Sequence, residues 1–245
     1  MEKFEIQAAG DRAFRLSFSK DKSEKTNERV IEAAYYIRSH RNPAIKEVLP
    51  SYSTLLIRYD PVKMAYSDMR LFLESTVESL KAGLKRKKKI INIPVCFEKE
   101  FGPDLEYVAT NAGMTEEEAV SLFCSKEYRV YFFGKMPGFS FSPGLDPKLK
   151  TEKRAIRHKL IEPGSIVIWD LNVGIYNLPF SGNQRIVGKT PLELFKEDRK
   201  EIFSYRAGDY LKFVPVSEEE FKQIKESVKT GTYQMKVYEE EAVWE

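Results

Sequence analysis

Basic side chains are concentrated in one short segment of the second half of the chain. This segment carries Lys148, Lys150, Lys153, Arg154, Arg157, His158 and Lys159. Arg185 and Lys189 follow further along the chain. Ammonium and guanidinium groups held close together bind carboxylate, carbamate or phosphate groups. The pattern predicts an anion-binding cleft if the fold brings these segments together, and a solvated basic loop if it does not.

An aromatic segment lies directly before the basic one. Tyr131–Asp146 reads YFFGKMPGFSFSPGLD and mixes aromatic side chains with glycines and prolines. Glycine and proline interrupt a strand ladder, so a plain core strand is excluded, whereas a plain surface loop would carry fewer phenylalanines. We expect a strand, Arg129–Phe133, that runs into an aromatic-lined loop at one wall of a binding cleft. A hydrophobic loop that only packs is the alternative.

Two titratable residues near these segments are candidates for acid–base chemistry. Asp146 is the one carboxylate within the aromatic segment, and either bonds backbone N–H groups of the loop or acts as an acid or base. His158 is the second candidate. Ser140 and Ser142 could in principle be nucleophiles, but the sequence lacks a Gly-x-Ser-x-Gly elbow and most such serines form hydrogen bonds within their loop.

Motifs for phosphate loops and metal centres do not fit the sequence. Gly188-Lys189-Thr190 resembles the end of a phosphate loop, but five residues instead of four separate Gly182 from Gly188. Lys189 alone can still contact an anion. The two histidines, His40 and His158, are far apart and lack zinc-site spacing. We therefore predict no metal site and no covalently bound cofactor.

The first half of the chain has the pattern of two strands and a helix, repeated once. Alternating and helical hydrophobic periods predict, in order, strands 4–8 and 13–18, helix 21–39, strands 45–49 and 54–59, and helix 66–82. This order describes an α/β sandwich with its helices on one face of the sheet. The basic run Lys85–Lys89 follows and favours a solvated linker at a domain boundary.

The second half has the pattern of two short helices followed by many short strands. Strand 90–97 precedes helices 105–112 and 115–123, and a further helix is predicted at 221–228. Strand-like runs at 129–133, 165–169, 173–176, 185–188 and 210–214 are separated by turn residues. This spacing favours a closed or nearly closed β-barrel.

Composition restricts the function classes. The 245 residues are 42% hydrophobic and 31% charged, with a net charge of +3, which is too small to indicate nucleic-acid binding. We expect no membrane association, because no apolar run reaches the roughly 20 residues that span a bilayer. The N-terminal residues show no secretory signal, and two isolated cysteines are typical of a reducing compartment, so a cytoplasmic protein is expected.

Six segments in the second half carry a family resemblance. They are EFGPDLEYVA (100–109), EYRVYFFGKMPGFSFSPGLDPKL (127–149), EPGSIVI (162–168), VGIY (173–176), IVGKTPLELF (186–195) and RAGDYLKFVPVS (206–217). Together they resemble the allophanate hydrolase subunit 1 family. That family includes KipI-like kinase inhibitors and the B subunit of 5-oxoprolinase.

The resemblance implies a fold and a set of partners. The fold is α+β, with a ferredoxin-like α/β domain at 1–88, a cyclophilin-like β-barrel domain at 89–225 and an acidic C-terminal tail at 226–245. The partner implied is a subunit 2-type protein (KipA-like, or the C subunit of 5-oxoprolinase), joined in some systems by an A-type subunit. ATP would be used at the level of that complex.

The chain departs from the family pattern around the presumed cleft. Two Thr-Pro-Arg motifs, a Gly-rich turn, a proline and a Pro-Gly-Gly-Trp segment are replaced by Thr151-Glu152-Lys153, Ile156-Arg157-His158, Leu171-Asn172-Val173, Asn177 and Ser181-Gly182-Asn183-Gln184. Loss of proline changes how rigidly the neighbouring cations are held, and loss of Trp removes a stacking surface.

These observations lead to one hypothesis and two alternatives. The hypothesis is a B-type component of an ATP-dependent, amide-hydrolysing 5-oxoprolinase complex that is inactive alone. Its cleft would use an apolar wall and a set of cations, namely Phe139, Phe141, Tyr176, Arg154, Arg157, His158, Arg185 and Lys189. The alternatives are a KipI-like binder that inhibits a sensor histidine kinase, and a scaffold component of a urea carboxylase or allophanate hydrolase-like system.

Overall fold

The computed structural model describes residues 4–82, 87–198 and 202–240. The chain divides into two compact units, Met1–Arg86 and Lys87–Glu245. Lys85 and Arg86 of the predicted basic linker lie outside the described residues, and Lys88 already belongs to the first strand of the second unit. Within the described residues, no helix has both the length and the apolar character needed to cross a bilayer.

The first unit is an antiparallel sheet covered on one face by two helices. Its elements are β1 (Glu5–Ala8), β2 (Ala13–Ser17), α1 (Glu24–Ser39), β3 (Ile45–Pro50), β4 (Thr54–Tyr59) and α2 (Tyr66–Glu78). The strand order is β1-β2-β4-β3. Apolar residues alternate along β2 and β4 and recur at helical spacing in α1 and α2, so both helices bury one face against the sheet.

The second unit contains two larger sheets, and four of its strands come from segments that the sequence pattern did not predict as strands. Its elements are β5 (Lys88–Val95), α3 (Leu105–Ala112), α4 (Glu116–Cys124), β6 (Glu127–Arg129), β7 (Phe132–Phe133), β8 (Ser140–Pro143), β9 (His158–Ile161), β10 (Ser165–Trp169), β11 (Asn172–Ile175), β12 (Phe180–Gly182), β13 (Arg185–Lys189), β14 (Tyr210–Pro215), α5 (Glu218–Lys229) and β15 (Val237–Glu240).

The strands of the second unit do not close into one barrel within the described residues. They form a five-stranded sheet, β13-β10-β11-β8-β7, a four-stranded sheet, β15-β5-β14-β6, and a ribbon, β12-β9. The two larger sheets meet through an isolated bridge in which Cys96 and Lys189 exchange two backbone hydrogen bonds of 2.9 Å. On the opposite side, the segment between β6 and β7 bonds to both sheets, since Val130 donates its backbone N–H to Asp209 at 2.8 Å and Tyr131 donates to Phe141 at 2.9 Å.

The segment expected as an acidic tail is largely part of the second unit. Helix α5 continues to Lys229, and β15 pairs antiparallel with β5 from Val237 to Glu240. The lysines that begin β5 explain this pairing, because Lys88 lies between Glu127 and Glu240 at ion-pair distance. Acidic residues of the last strand therefore neutralise the basic start of β5.

Candidate functional site

Asp104 lies at the start of α3, pressed against β13. Its backbone N–H donates to the carbonyl of Ile186 at 2.9 Å, and its own carbonyl accepts from Val108 in the first turn of the helix. Gly102 permits this approach, since a Cβ atom there would lie 2.3 Å from the carbonyl oxygen of Val187. The side chain of Asp104 is only 2% exposed.

The Asp104 carboxylate collects hydrogen bonds from two distant segments of the chain. Oδ2 accepts from the backbone N–H of Ile186 at 2.8 Å and lies 3.1 Å from Nε2 of His158. Oδ1 accepts from Nη1 of Arg154, and Nη1 of Arg185 lies 3.5 Å away. A buried carboxylate is stable only when it is paired and hydrogen-bonded in this way. We call Asp104, Arg154, His158 and Arg185 the Asp104 cluster.

The basic side chains of the Asp104 cluster belong to segments that other contacts hold in place. Arg154 donates its backbone N–H to Asn183 at 2.7 Å, and Arg185 donates Nε to the carbonyl of Glu152 at 3.2 Å. The Arg185 guanidinium lies 3.7 Å from the ring centroid of Tyr107, a cation–π contact. His158 begins β9, opposite Gly182 of β12.

The Asp104 cluster retains positive charge at its surface. Two guanidinium groups and an imidazole face a single carboxylate, and Arg154 remains 33% exposed while Arg185 is 12% exposed. An anionic group approaching the Arg154 side would meet a cation whose orientation is already fixed. The structure thus brings Arg154, His158 and Arg185 together, as the anion-binding hypothesis expects, but around an internal carboxylate.

The aromatic residues form a packed cluster on the other side of β13. The ring of Phe139 lies 4.6 Å from that of Tyr176 and 5.6 Å from that of Trp169, and Phe141 packs edge-on against Trp169 at 5.3 Å. Phe139 and Tyr176 are buried, and only Phe141 is partly exposed. The rings therefore pack against one another and do not line an open cleft.

The position of β13 separates the aromatic rings from Arg185. Ile186 packs into the aromatic cluster, whereas Val187 belongs to the main core of the unit. Tyr107, which stacks on Arg185, is carried by α3, and α3 packs against that main core. The aromatic rings and Arg185 therefore lie on opposite sides of β13, whereas Arg157 lies near enough to Tyr176 to interact with it electrostatically.

The other three candidate residues lie outside the Asp104 cluster. Asp146 accepts from the backbone N–H of Lys148 at 3.0 Å at the start of a 3-10 helix and pairs with Lys126 at 3.2 Å. These contacts, the backbone hydrogen bond first, lower the pKa of Asp146. The carboxylate thus stabilises the backbone of its own loop. Arg157 donates to the carbonyl of Ser181 at 2.8 Å, and Lys189 pairs with Glu162.

Neither candidate serine is placed for nucleophilic attack. Ser140 and Ser142 are fully buried on β8. Of the two bases considered for them, His158 directs Nε2 to Asp104, and Asp146 accepts from the backbone N–H of Lys148. Asp104 itself was not among the sequence candidates. Its position directly after Gly102-Pro103 and before an apolar helix was the available signal, because acidic residues favour helix N-termini.

Comparison with known proteins identifies the family. The family model "Carboxyltransferase domain, subdomain C and D" matches residues 4–205. The chain belongs to this carboxyltransferase-domain family. The B subunit of the Bacillus subtilis (strain 168) 5-oxoprolinase is 32% identical over 235 residues, which cover 91% of this chain and 98% of that protein. The family expected from the sequence motifs is thereby confirmed.

Solved structures show the same fold within longer chains. The protein TTHA0988 superposes with a TM-score of 0.75 at 26% identity, over 84% of this chain. This chain covers only 40% of TTHA0988. The Kluyveromyces lactis urea carboxylase superposes with a TM-score of 0.74 over 96% of this chain and 24% of its own length. At 19% identity, that likeness concerns the fold alone.

Proposed function

We propose that this chain is the B-type subunit of a 5-oxoprolinase, a hydrolase that opens the lactam of 5-oxoproline. The observation that carries this proposal is the end-to-end match with the Bacillus subtilis B subunit, because it spans both units of the chain and nearly all of the relative. The range matched by the family model, residues 4–205, also spans the segments that build the Asp104 cluster.

We further propose that residues 1–88 form a ferredoxin-like domain and residues 89–225 a cyclophilin-like domain. The four antiparallel strands with two helices on one face support the first assignment. The five-stranded antiparallel sheet bridged to a second sheet supports the second.

The active species in this proposal is a heteromeric cytoplasmic complex without nucleic acid or membrane. A subunit 2-type partner (KipA-like, or the C subunit of 5-oxoprolinase) and an A-type subunit complete it. The naming of the relatives as one lettered subunit of an enzyme, and the much longer TTHA0988 chain, support additional modules. ATP would be used at the level of the complex. In this chain Gly188-Lys189 belongs to strand β13, with Lys189 engaged by Glu162, and does not form a phosphate loop.

In this assembly the Asp104 cluster has the role of an anion-orienting group. Arg154 is the cation with the most exposed side chain, so it would contact the carboxylate of the substrate or of a partner protein. Asp104 and His158 would act as positioning residues, because both are largely enclosed and contact each other. Arg185 would keep the cluster aligned through Tyr107.

The proposal is tested by co-expressing this chain with the subunit 2-type and A-type proteins and measuring ATP-coupled 5-oxoproline hydrolysis. We expect turnover by the complex and none by this chain alone. Arg154→Gln should lower kcat/KM by at least about tenfold, the loss expected for one charged hydrogen bond. Arg70→Gln, which removes an exposed helical arginine of the first unit, is the control. A well-formed complex without turnover would refute the proposal.

A further inference from the structure

A cavity of about 310 Å³ lies on the second unit, apart from the Asp104 cluster. One wall is the loop before β10, another is the segment that follows β13, and the third is α5. Apolar side chains from two of these walls, Leu192, Phe221 and Val228 among them, line its interior, and Asn177 contributes an amide. The lining combines these apolar side chains with charged and polar ones, and a concave site of this size lies within the range of ligand pockets.

The walls of the cavity are held in place by backbone contacts. Gly164 donates its N–H to the carbonyl of Tyr176 at 2.6 Å, and its own carbonyl accepts from Thr190 at 2.9 Å. Gly164 has φ +87°, and a Cβ atom there would lie 2.5 Å from the carbonyl of Thr190. Asn177 is fixed by donating its side-chain N–H to the carbonyl of Gly138 at 2.6 Å. The cavity is therefore preformed.

The charged residues that line the cavity are three lysines, Lys189, Lys225 and Lys229, and two glutamates, Glu162 and Glu193. Lys189 is 21% exposed and contacts the carboxylate of Glu162, whose side chain is 62% exposed. Lys225 and Lys229 of α5 add positive charge to the same lining. The hydrogen bond from Lys189, followed by the charges of Lys189 and Lys225, lowers the pKa of Glu162. The position next to Lys189 is thus one where a carboxylate is stabilised.

We propose that this cavity binds a small organic carboxylate, which takes the place of Glu162 beside Lys189. The Glu162 carboxylate lies beside Lys189 at the position that the ligand would take, so a ligand carboxylate can form the same ion pair. Because Glu162 is mostly exposed, it can move into water at little cost when displaced. The apolar body of the ligand would then pack on Phe221 and Val228. The site is separate from the Asp104 cluster and does not depend on the proposed hydrolase activity.

The proposal is tested by titrating the full chain with benzoate and, separately, with inorganic phosphate, following backbone amide shifts by NMR. We expect saturable benzoate shifts at Gly164 and Asn177. Lys189→Gln should weaken benzoate binding at least about tenfold, since it removes a charged hydrogen-bond donor. Glu162→Gln should tighten binding several-fold, because it removes the negative charge that competes for Lys189.

Lys222→Gln is the matched control, since Lys222 also lies on α5 but pairs with Glu218 and is not part of the cavity lining. Its benzoate affinity should equal that of the wild type. The proposal is overturned if neither the wild type nor Glu162→Gln shows saturable shifts, if folded Lys189→Gln binds benzoate as well as the wild type, or if phosphate alone produces the shifts.

Discussion

The Asp104 cluster and the Lys189–Glu162 pair use the same kinds of charged group but differ in where the acid lies. Asp104 is 2% exposed and is contacted by a backbone N–H and by the side chains of Arg154 and His158. Glu162 is 62% exposed and forms its ion pair with Lys189. A buried carboxylate cannot leave its cations without losing all of these contacts, whereas an exposed one exchanges readily with water.

The two acids also differ in how many parts of the fold they hold together. The Asp104 cluster fastens α3, β13 and the segment 151–158 to one another, so most of its charge is used internally. The Lys189–Glu162 ion pair does not join several elements in this way, and both residues line the cavity. Substitutions in the two groups should therefore differ in their cost, from several kcal/mol at Asp104 to a fraction of one at Glu162.

Asp104→Ala should strongly destabilise the second unit. It would leave two guanidinium groups, an imidazole and the backbone N–H of Ile186 without their shared partner. Breaking a buried ion pair on one side costs about 3–5 kcal/mol. Urea denaturation followed by tryptophan fluorescence measures the loss. Glu162→Ala is the matched control and should cost less than about 1 kcal/mol. Equal losses in the two variants would contradict the comparison.

Gly102→Ala should destabilise the protein by pushing Asp104 and the start of α3 away from β13. The added methyl would lie 2.3 Å from the carbonyl oxygen of Val187, which is backbone and cannot rotate away. Overpacking of this kind costs about 1–3 kcal/mol. Thermal unfolding provides the measurement. In the double variant with Asp104→Ala, the total loss should be less than the sum of the two, because both act on the same contact. Full additivity would mean that Gly102 does not serve to place Asp104.

Features that depend on residues close together in the sequence were predicted well, whereas contacts between residues far apart in the sequence were not. Local periodicity located α3, β10 and β13 almost to the residue, because each has a clear apolar pattern. It missed β9 and β12, two short strands whose exposed outer residues Leu160 and Phe180 blur the alternation. The basic segment was interpreted as an anion-binding site, and two of its side chains, Arg154 and His158, contact Asp104, about fifty residues earlier in the chain.

The aromatic segment illustrates the same limit. Its composition indicated a shaped, ring-rich loop, and the rings do cluster. Whether Phe139 faces a cleft or a neighbouring ring is decided by Trp169 and Tyr176, which arrive from later segments of the chain. The residue spacing within the loop therefore cannot predict the surroundings of Phe139. Asp146, in contrast, acts through Lys148, two residues away, and bonding to loop backbone was one of its two predicted roles.

Arg185→Lys should have a moderate effect, and it tests the cations of the Asp104 cluster instead of its acid. Lysine keeps the charge but loses the planar contact with Tyr107 and the Nε–H bond to Glu152. We expect a loss of about 1 kcal/mol, typical of a partly desolvated cation–π contact. A double-mutant cycle with Tyr107→Leu isolates the ring contribution. A coupling energy near zero would show that Arg185 is held by Asp104 and Glu152 alone.

The smallest effect should be the pH dependence of the exposed pair. Lys189 lowers the pKa of Glu162 below its ordinary value of 4.5. A carboxylate with a depressed folded-state pKa stabilises the folded protein above its unfolded pKa, and this contribution is lost as pH falls through the folded value. Glu162→Gln should therefore be less stable than the wild type at pH 7 by under about 1 kcal/mol, because the pair is exposed. The difference should shrink as pH falls below 4.5 in matched urea titrations. A difference that persists undiminished in acid would mean that Glu162 stabilises the fold through packing, and then it would not be free to yield its place beside Lys189 to a ligand.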